Sequence, residues 1–464
     1  MSHVALHATA CIACRRRGRK CDRTLPACLS CEKRGAVCEG YVTKWPGVAA
    51  RGKLAGKSIP VVDSSAAITN DKPTSRRLRL KQVKQNASAG QNVDGHPGSS
   101  FSQVPDDEVE KFVQHYIADL SSIFYLGNGP SDNPMFHYVL PLINTIPPIR
   151  FALAGSASCH VAARNSDEAL EQKSLRLRVH ATHLLREMLQ NPNTVTDQAI
   201  LASVLMLAQL DMCSGDCDEF PTHLQAAASI VRSKNYDGAG NRYYFEQRLV
   251  WLDVMSSTTS LRQPNLSLEE VKTIIGRVVA NGGRQWSYDV FPCPVDLFEI
   301  IIEITFLLKD RSVNISAGYA QLKSLSFQSR LREWKCPFLS GPRKYMVEVW
   351  RLGIMAYLQR VFPATNRPES EALSSQLLEL AELILPTTSW SYALLWPIFQ
   401  IGVTLGDGAE DERDKIRRRL RTALVTIGCR HHSNALETLE VIWSRQEDHD
   451  PFSICIPGRT IMLV

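Results

Sequence analysis

The 464-residue chain lacks an apolar run that could span a bilayer. Its most hydrophobic stretch, VDLFEIIIEITFLL from Val295, is too short and carries Asp296, Glu299 and Glu303. The first residues, MSHVALHATAC, lack the charged start, apolar core and small-residue cleavage site of a secretory signal. Nothing therefore points to an oxidising compartment, and the cysteines are expected to be reduced thiols. Catalytic signatures are missing too: there is no H-E-x-x-H, no G-x-S-x-G and no complete G-x-G-x-x-G. RGKLAGKS, Arg51 to Ser58, approximates a phosphate-binding loop, but Arg51 stands where a glycine is required and no apolar strand precedes it. Strand alternation with hairpin signals is scarce. These absences leave a soluble, largely helical protein with no sequence argument for an enzyme.

What is present is concentrated at one end. Cys11-x2-Cys14-x6-Cys21 is followed by Cys28-x2-Cys31-x6-Cys38, the same spacing twice. Six cysteines so close could staple a small secreted domain with disulfides, but no secretory signal supports that. Reduced cysteines at short spacing bind metal. Zinc takes four thiolate or imidazole ligands in a tetrahedron, so one ion would leave two cysteines idle. Two ions need eight ligand places, which six thiolates fill only if two sulfurs bridge. The duplication makes one bridging cysteine per half the natural arrangement, and a binuclear Zn2+ cluster is expected. His3 and His7 are not needed as ligands.

The charge follows the cysteines. Two zinc ions and six thiolates carry a residual charge of minus two, which Arg15, Arg16, Arg17, Arg19, Lys20, Arg23, Lys33 and Arg34 offset and exceed. Residues 1–57 hold twelve Lys/Arg against three acids, a net +9, while the rest of the chain is −3. Such polarisation is the footprint of a nucleic-acid-binding module attached to an ordinary globular body.

At these residues the chain resembles the DNA-binding domain of fungal Zn2Cys6 binuclear cluster transcription factors. All six cysteines match. The resemblance implies that Cys11 and Cys28 bridge the two zincs, that Cys14, Cys21, Cys31 and Cys38 each bind one, and that Pro26 lies in the loop between halves. It also implies double-stranded DNA as partner and the nucleus as location. After its second cysteine the family reads CRxRKxKCD, against CRRRGRKCD from Cys14 to Asp22 here. The departure is Gly18, where the family usually has a cation that reaches base edges, so a CGG-like preference is not carried over. Gly18 is expected to end a short helix begun near Cys14, in left-handed conformation. Arg17 is then the expected base reader, with Arg19 as alternative, because arginine can bond guanine O6 and N7 together. Arg15, Arg16, Lys20 and Arg23 are expected to hold phosphates, adding affinity and register.

Three regions follow: residues 1–57, the cluster with a basic extension (YVTKWPGVAARGKLAGK, Tyr41 to Lys57); residues 58–107, a polar linker; and residues 108–464, an all-α body. The extension resembles a segment that follows the cluster in related regulators. The linker is rich in Ser, Asn, Gly, Pro and Asp and cannot bury enough surface to fold alone. Its RRLRLKQVK, Arg76 to Lys84, is read as a nuclear localisation signal, a phosphate contact or a solvated charge run. No sustained a/d repeat appears, so a homodimer stays open. In the body, Phe112, Tyr116, Leu120 and Phe124, and later Leu373, Leu377, Leu380 and Ile384 before Pro386, fall on helical stripes.

The body resembles the fungal-specific transcription factor domain, particularly that of acriflavine-sensitivity-control-like regulators, at NPMFHYVLPL, HLQAAASIV, VWRLGIMAYLQRVF, WPIFQIG and NALETLEVIW. That family usually extends further, so ICIPGRTIMLV is expected to mark a shortened C-terminus. Cys213, Cys217 and Cys429 are expected to be buried cysteines, and His431 and His432 ordinary surface histidines. Trp350, Tyr357, Trp390 and Trp396 are expected in the core, or lining an effector pocket. Two functions compete. One is a sequence-specific regulator whose body regulates, recruits transcription machinery or senses a metabolite; the other is a zinc-stabilised interaction protein that its basic end tethers to chromatin without base specificity.

Overall fold

The computed structural model describes residues 10–23, 28–36 and 38 of the cysteine-rich end. Of the remainder it describes 104–127, 132–190, 196–233, 236, 238, 243–280, 290–309, 317–337, 339–362, 367–386, 389–406, 408–444 and 461–463. Pro26, the basic extension and Arg76 to Lys84 lie outside these residues. The chain divides into two compact units, Met1–Gly98 and Ser99–Val464.

In the second unit every regular element among the described residues is a helix. The first begins at Asp106, two residues inside the segment assigned to the linker by composition, with Asp106, Asp107 and Glu108 in the first turn, where carboxylates suit the positive end of the helix dipole. The expected stripe runs through it, and Tyr116 and Leu120 are fully buried. The helix does not continue as a regular α-helix, however: after His115 a π-helical turn, Tyr116–Leu120, intervenes.

The helices sort by how many faces they bury. Asp197–Ser214 is enclosed on all sides, every side chain from Ala199 to Cys213 being buried. Tyr244–Ser257 is likewise enclosed. Such helices form the interior of a large helical protein. Around them pack neighbouring helices, chiefly Pro147–Asn165 against Glu168–Gln190 and Pro342–Val361 against Leu395–Thr404. The latter crossing is close because Gly353 faces Pro397: a Cβ at 353 would lie 2.6 Å from Pro397 Cβ and 2.8 Å from its Cα.

The aromatic core is continuous. Trp350 and Trp396 stack with centroids 5.2 Å apart, and Trp251 meets Trp350 at 5.5 Å. Their polar edges are satisfied, as buried indoles require. Trp350 Nε1 donates to the Ala393 carbonyl at 3.0 Å, and Trp396 Nε1 to Thr258 Oγ1 at 2.8 Å. Tyr357 is buried beside them, while Trp390 is only half-buried, under the Arg343 guanidinium. The void beside Trp350 measures about 30 Å³, room for a water rather than an effector.

Cys213, Cys217 and Cys429 are buried as expected. His431 and His432 are not surface residues: both are 1 % exposed. Gly428, with φ +76°, turns the chain so tightly after the helix Glu410–Ile427 that the next helix, starting at His431, enters the core at once. Burial pushes both imidazoles below their usual range, His432 to about 4. The neighbouring His432 ring adds to this at His431, and each keeps one backbone carbonyl on Nδ1, Met212 for His431 and Cys429 for His432.

Candidate metal centre and nucleic-acid interface

The cysteine-rich unit is built twice from one local plan. Cys11 caps the helix Ile12–Arg16 and Cys28 caps Leu29–Glu32, each in extended conformation. Each capping sulfur accepts from the second cysteine of its half: Cys14 N–H to Cys11 Sγ, and Cys31 N–H to Cys28 Sγ, both 3.3 Å. The third cysteine closes the loop, Cys11 N–H reaching Cys21 Sγ at 3.5 Å and Cys28 N–H reaching Cys38 Sγ at 3.4 Å.

Both helices end the same way. Gly18 has φ +60° and Gly35 φ +62°. Gly18 N–H donates to the Arg15 carbonyl and Arg19 N–H to Cys14; Gly35 N–H donates to Glu32 and Ala36 N–H to Cys31. These paired 5→2 and 6→1 bonds are the C-terminal cap that a left-handed glycine completes. Gly18 therefore ends the helix, as its position suggested, although the helix begins at Ile12, two residues before Cys14.

The sulfurs converge. Cys11, Cys14, Cys21 and Cys28 have their Sγ atoms within 4.8 Å of one another, and so do Cys11, Cys28, Cys31 and Cys38. The two groups share Cys11 and Cys28, whose sulfurs are 3.6 Å apart. Cys11 to Cys31 is 3.8 Å and Cys14 to Cys28 is 3.9 Å. A sulfur tetrahedron around zinc, with bonds of about 2.3 Å, has edges of about 3.8 Å. The donor set thus fits two zinc ions. Burial raises the Cys11, Cys14 and Cys28 thiols, Cys11 up to about 12. Cys21 moves down: burial opposes, but N–H groups of Cys11 and Arg23 outweigh it. Bound dications would supply the positive charge that buried thiolates need.

One residue escaped the sequence reading. Asp22 Oδ1 accepts from Ser30 N–H at 2.6 Å and Oδ2 from Leu29 N–H at 3.0 Å, while Ser30 Oγ accepts from Asp22 N–H at 3.3 Å. The carboxylate closing the first half satisfies the first turn of the second half's helix, locking the two repeats together. An acidic residue directly after Cys21 in an otherwise basic run was the available signal.

The cations lie outside this framework. Arg15, Arg16, Arg17, Arg19, Lys20 and Arg23 are all exposed. Arg15 and Arg16 belong to the first helix, Arg17 is its C-cap, and Arg19 and Lys20 follow the glycine turn. Arg23 is in the left-handed region, φ +65°, a conformation that costs a non-glycine residue energy. The cluster thus backs a continuous cationic edge.

A three-cysteine unit repeated twice under a basic surface, in a chain whose body is helical throughout its described residues, defines a zinc-cluster transcription factor. The family comparison is specific: residues 9–45 match the fungal Zn(2)-Cys(6) binuclear cluster domain, and residues 111–461 match the fungal specific transcription factor domain. The chain belongs to this family of fungal transcription factors. No curated protein and no solved structure matches the chain significantly. Among the described residues no helix is long and apolar enough to cross a membrane.

Proposed function

We propose that the protein is a nuclear, sequence-specific regulator of RNA polymerase II transcription that binds promoter DNA through residues 1–57 and regulates through the helical body from 108 onward. Cys11 and Cys28 are the bridging ligands, and Cys14 with Cys21 and Cys31 with Cys38 complete the two metal sites. The observation that carries this reading is the pair of four-sulfur groups sharing Cys11 and Cys28 beneath an exposed cationic edge.

The zinc ions supply charge and cross-linking; the chain's own residues do the binding. The two capped helices are too short to persist alone, so the cluster fixes the directions of Arg15 to Lys20. Gly18 removes a side chain from the edge and reverses the backbone, leaving Arg17 and Arg19 on either side of the turn. Arg17 reads base edges; Arg15, Arg16, Lys20 and Arg23 hold phosphates. The body's working roles are regulation and recruitment of transcription machinery.

The test is duplex binding by the full-length protein with zinc, after chelation, and after zinc is restored. Binding that vanishes on chelation and returns with zinc supports the reading. Equal affinity in all three states contradicts it.

A further inference from the structure

Outside the cysteine cluster, one group of side chains in the helical body has the donors of a second kind of metal site. The helix Asp106–His115 passes directly into the π-helical turn Tyr116–Leu120, which places His115 at the junction and Asp119 in the turn. Such turns are rare and recur at functional positions. The helix Pro147–Asn165 packs against both and contributes His160, which is fully buried. His115 Nε2 lies 2.9 Å from His160 Nδ1 and 3.9 Å from Asp119 Oδ2, and the three donor atoms all lie within 4.8 Å of one another.

These separations straddle what zinc requires. With nitrogen and oxygen ligands at about 2.0–2.2 Å, a tetrahedron has edges of about 3.4 Å. The two His115 edges each miss that value by roughly half an ångström and the third, within 4.8 Å, by up to about 1.4 Å, shifts that a half-exposed Asp119 can supply. Two imidazoles and one carboxylate suit a first-row divalent ion such as zinc better than calcium or magnesium.

The surrounding contacts are those of oriented ligands. Asp119 Oδ2 accepts from Arg164 at 3.2 Å, and a carboxylate has lone pairs enough to serve both an arginine and a metal. His160 Nε2 is buried with no well-formed hydrogen bond, the Ile427 carbonyl being the backbone group that acts on the ring. Gly428 closes the wall: a Cβ there would lie 2.6 Å from His160 Cδ2 and 2.8 Å from Arg164 Cγ. The His160 ring and the Arg164 stem are thus held in place. The Arg164 cation lowers the affinity for any metal, which favours an ion that binds imidazole strongly. The metal-free competitor is a simple N–H···N bond between the two imidazoles.

We propose that His115, Asp119 and His160 form a third zinc-type site, with its remaining position open to water, chemically distinct from the thiolate cluster. Its occupancy ties the first helix of the body to Pro147–Asn165 and stabilises the body in proportion to free zinc.

The test is the full-length protein equilibrated with a modest excess of zinc and desalted, its zinc counted per chain by elemental analysis, with thermal melting in parallel. Three zincs are expected in the wild type and two in both His115→Gln and Asp119→Asn, with the zinc-dependent rise in the body's Tm lost in the variants. Asp119 is half-exposed, so Asp119→Asn decides the matter even if replacement of His115 unfolds the chain. Two zincs in the wild type, or three in the wild type and in Asp119→Asn alike, would overturn the proposal.

Discussion

Replacing Gly18 by alanine separates the structural role of this position from any role in reading DNA. Gly18 has φ +60°, and nothing lies within 4 Å of where a Cβ would stand. The substitution therefore meets no steric contact, and its cost is conformational: about 1–2 kcal/mol for holding an L-residue left-handed. Because a small zinc domain folds as it binds metal, that cost appears in metal affinity. About 1 kcal/mol corresponds to roughly a fivefold weaker hold on zinc, measured by competition of the full-length protein against a chelator. Gly35→Ala, at φ +62° and equally open, should lose the same amount, since it occupies the same place in the second repeat. Gly18→Lys pays the same strain but adds a cation on the exposed edge, so zinc retention should fall as in the alanine variant while duplex affinity at low salt rises. An alanine variant that holds zinc as tightly as the wild type would refute the argument, because the left-handed cap would then not constrain the residue.

Asp22→Ala strips acceptors from Leu29 and Ser30 N–H, and should cost about 1–2 kcal/mol, or roughly tenfold in zinc competition, with Asp22→Asn intermediate. Cys11→Ser removes a ligand from both four-sulfur groups and Cys21→Ser from one, so native mass spectrometry at buffered zinc should show two zincs lost in the first variant and one in the second. In the body, Gly353→Ala should destabilise by about 1–3 kcal/mol through its contact with the Pro397 backbone. Gly276→Ala, in a helix with open space around it, should stabilise by about 0.5–1 kcal/mol; thermal denaturation distinguishes the signs. His432 titrates near 4 when folded and near 6.5 when unfolded, so between those values the unfolded chain binds a proton that the folded chain excludes. Its contribution is complete above pH 6.5 and falls as the pH drops, by about 2 kcal/mol at pH 5, and His432→Gln should flatten the Tm–pH slope over that window.

The duplicated cysteine spacing was legible because zinc's four-ligand rule converts counting into geometry: six sulfurs can serve two ions only by sharing two. Gly18 was legible because a glycine just past a short helix has one common physical use. Asp22 offered only an acid in a basic run as a signal, which does not name its partners, since these are backbone N–H groups in the other repeat and no local pattern announces a contact across a turn. Stripes such as Leu373, Leu377 and Ile384 announced half-buried helices, whereas Asp197–Ser214, buried on all sides, has no period to read. The π-turn at Tyr116–Leu120 was invisible because Tyr116 and Leu120 satisfy a four-residue step whether the turn is regular or widened. His431 and His432 were misplaced for a similar reason: their polarity suggested a surface, and only the Gly428 turn carries them inward.

The central claim is that shared thiolates organise a cationic edge that reads DNA sequence. Selection from random duplex DNA by the full-length protein, at near-physiological salt with and without chelator, tests it most directly. One enriched motif bound about 10³-fold or more above random sequence, and lost on chelation, is the predicted result. Salt-sensitive binding without an enriched motif would contradict the claim and leave a chromatin tether whose working part is the helical body.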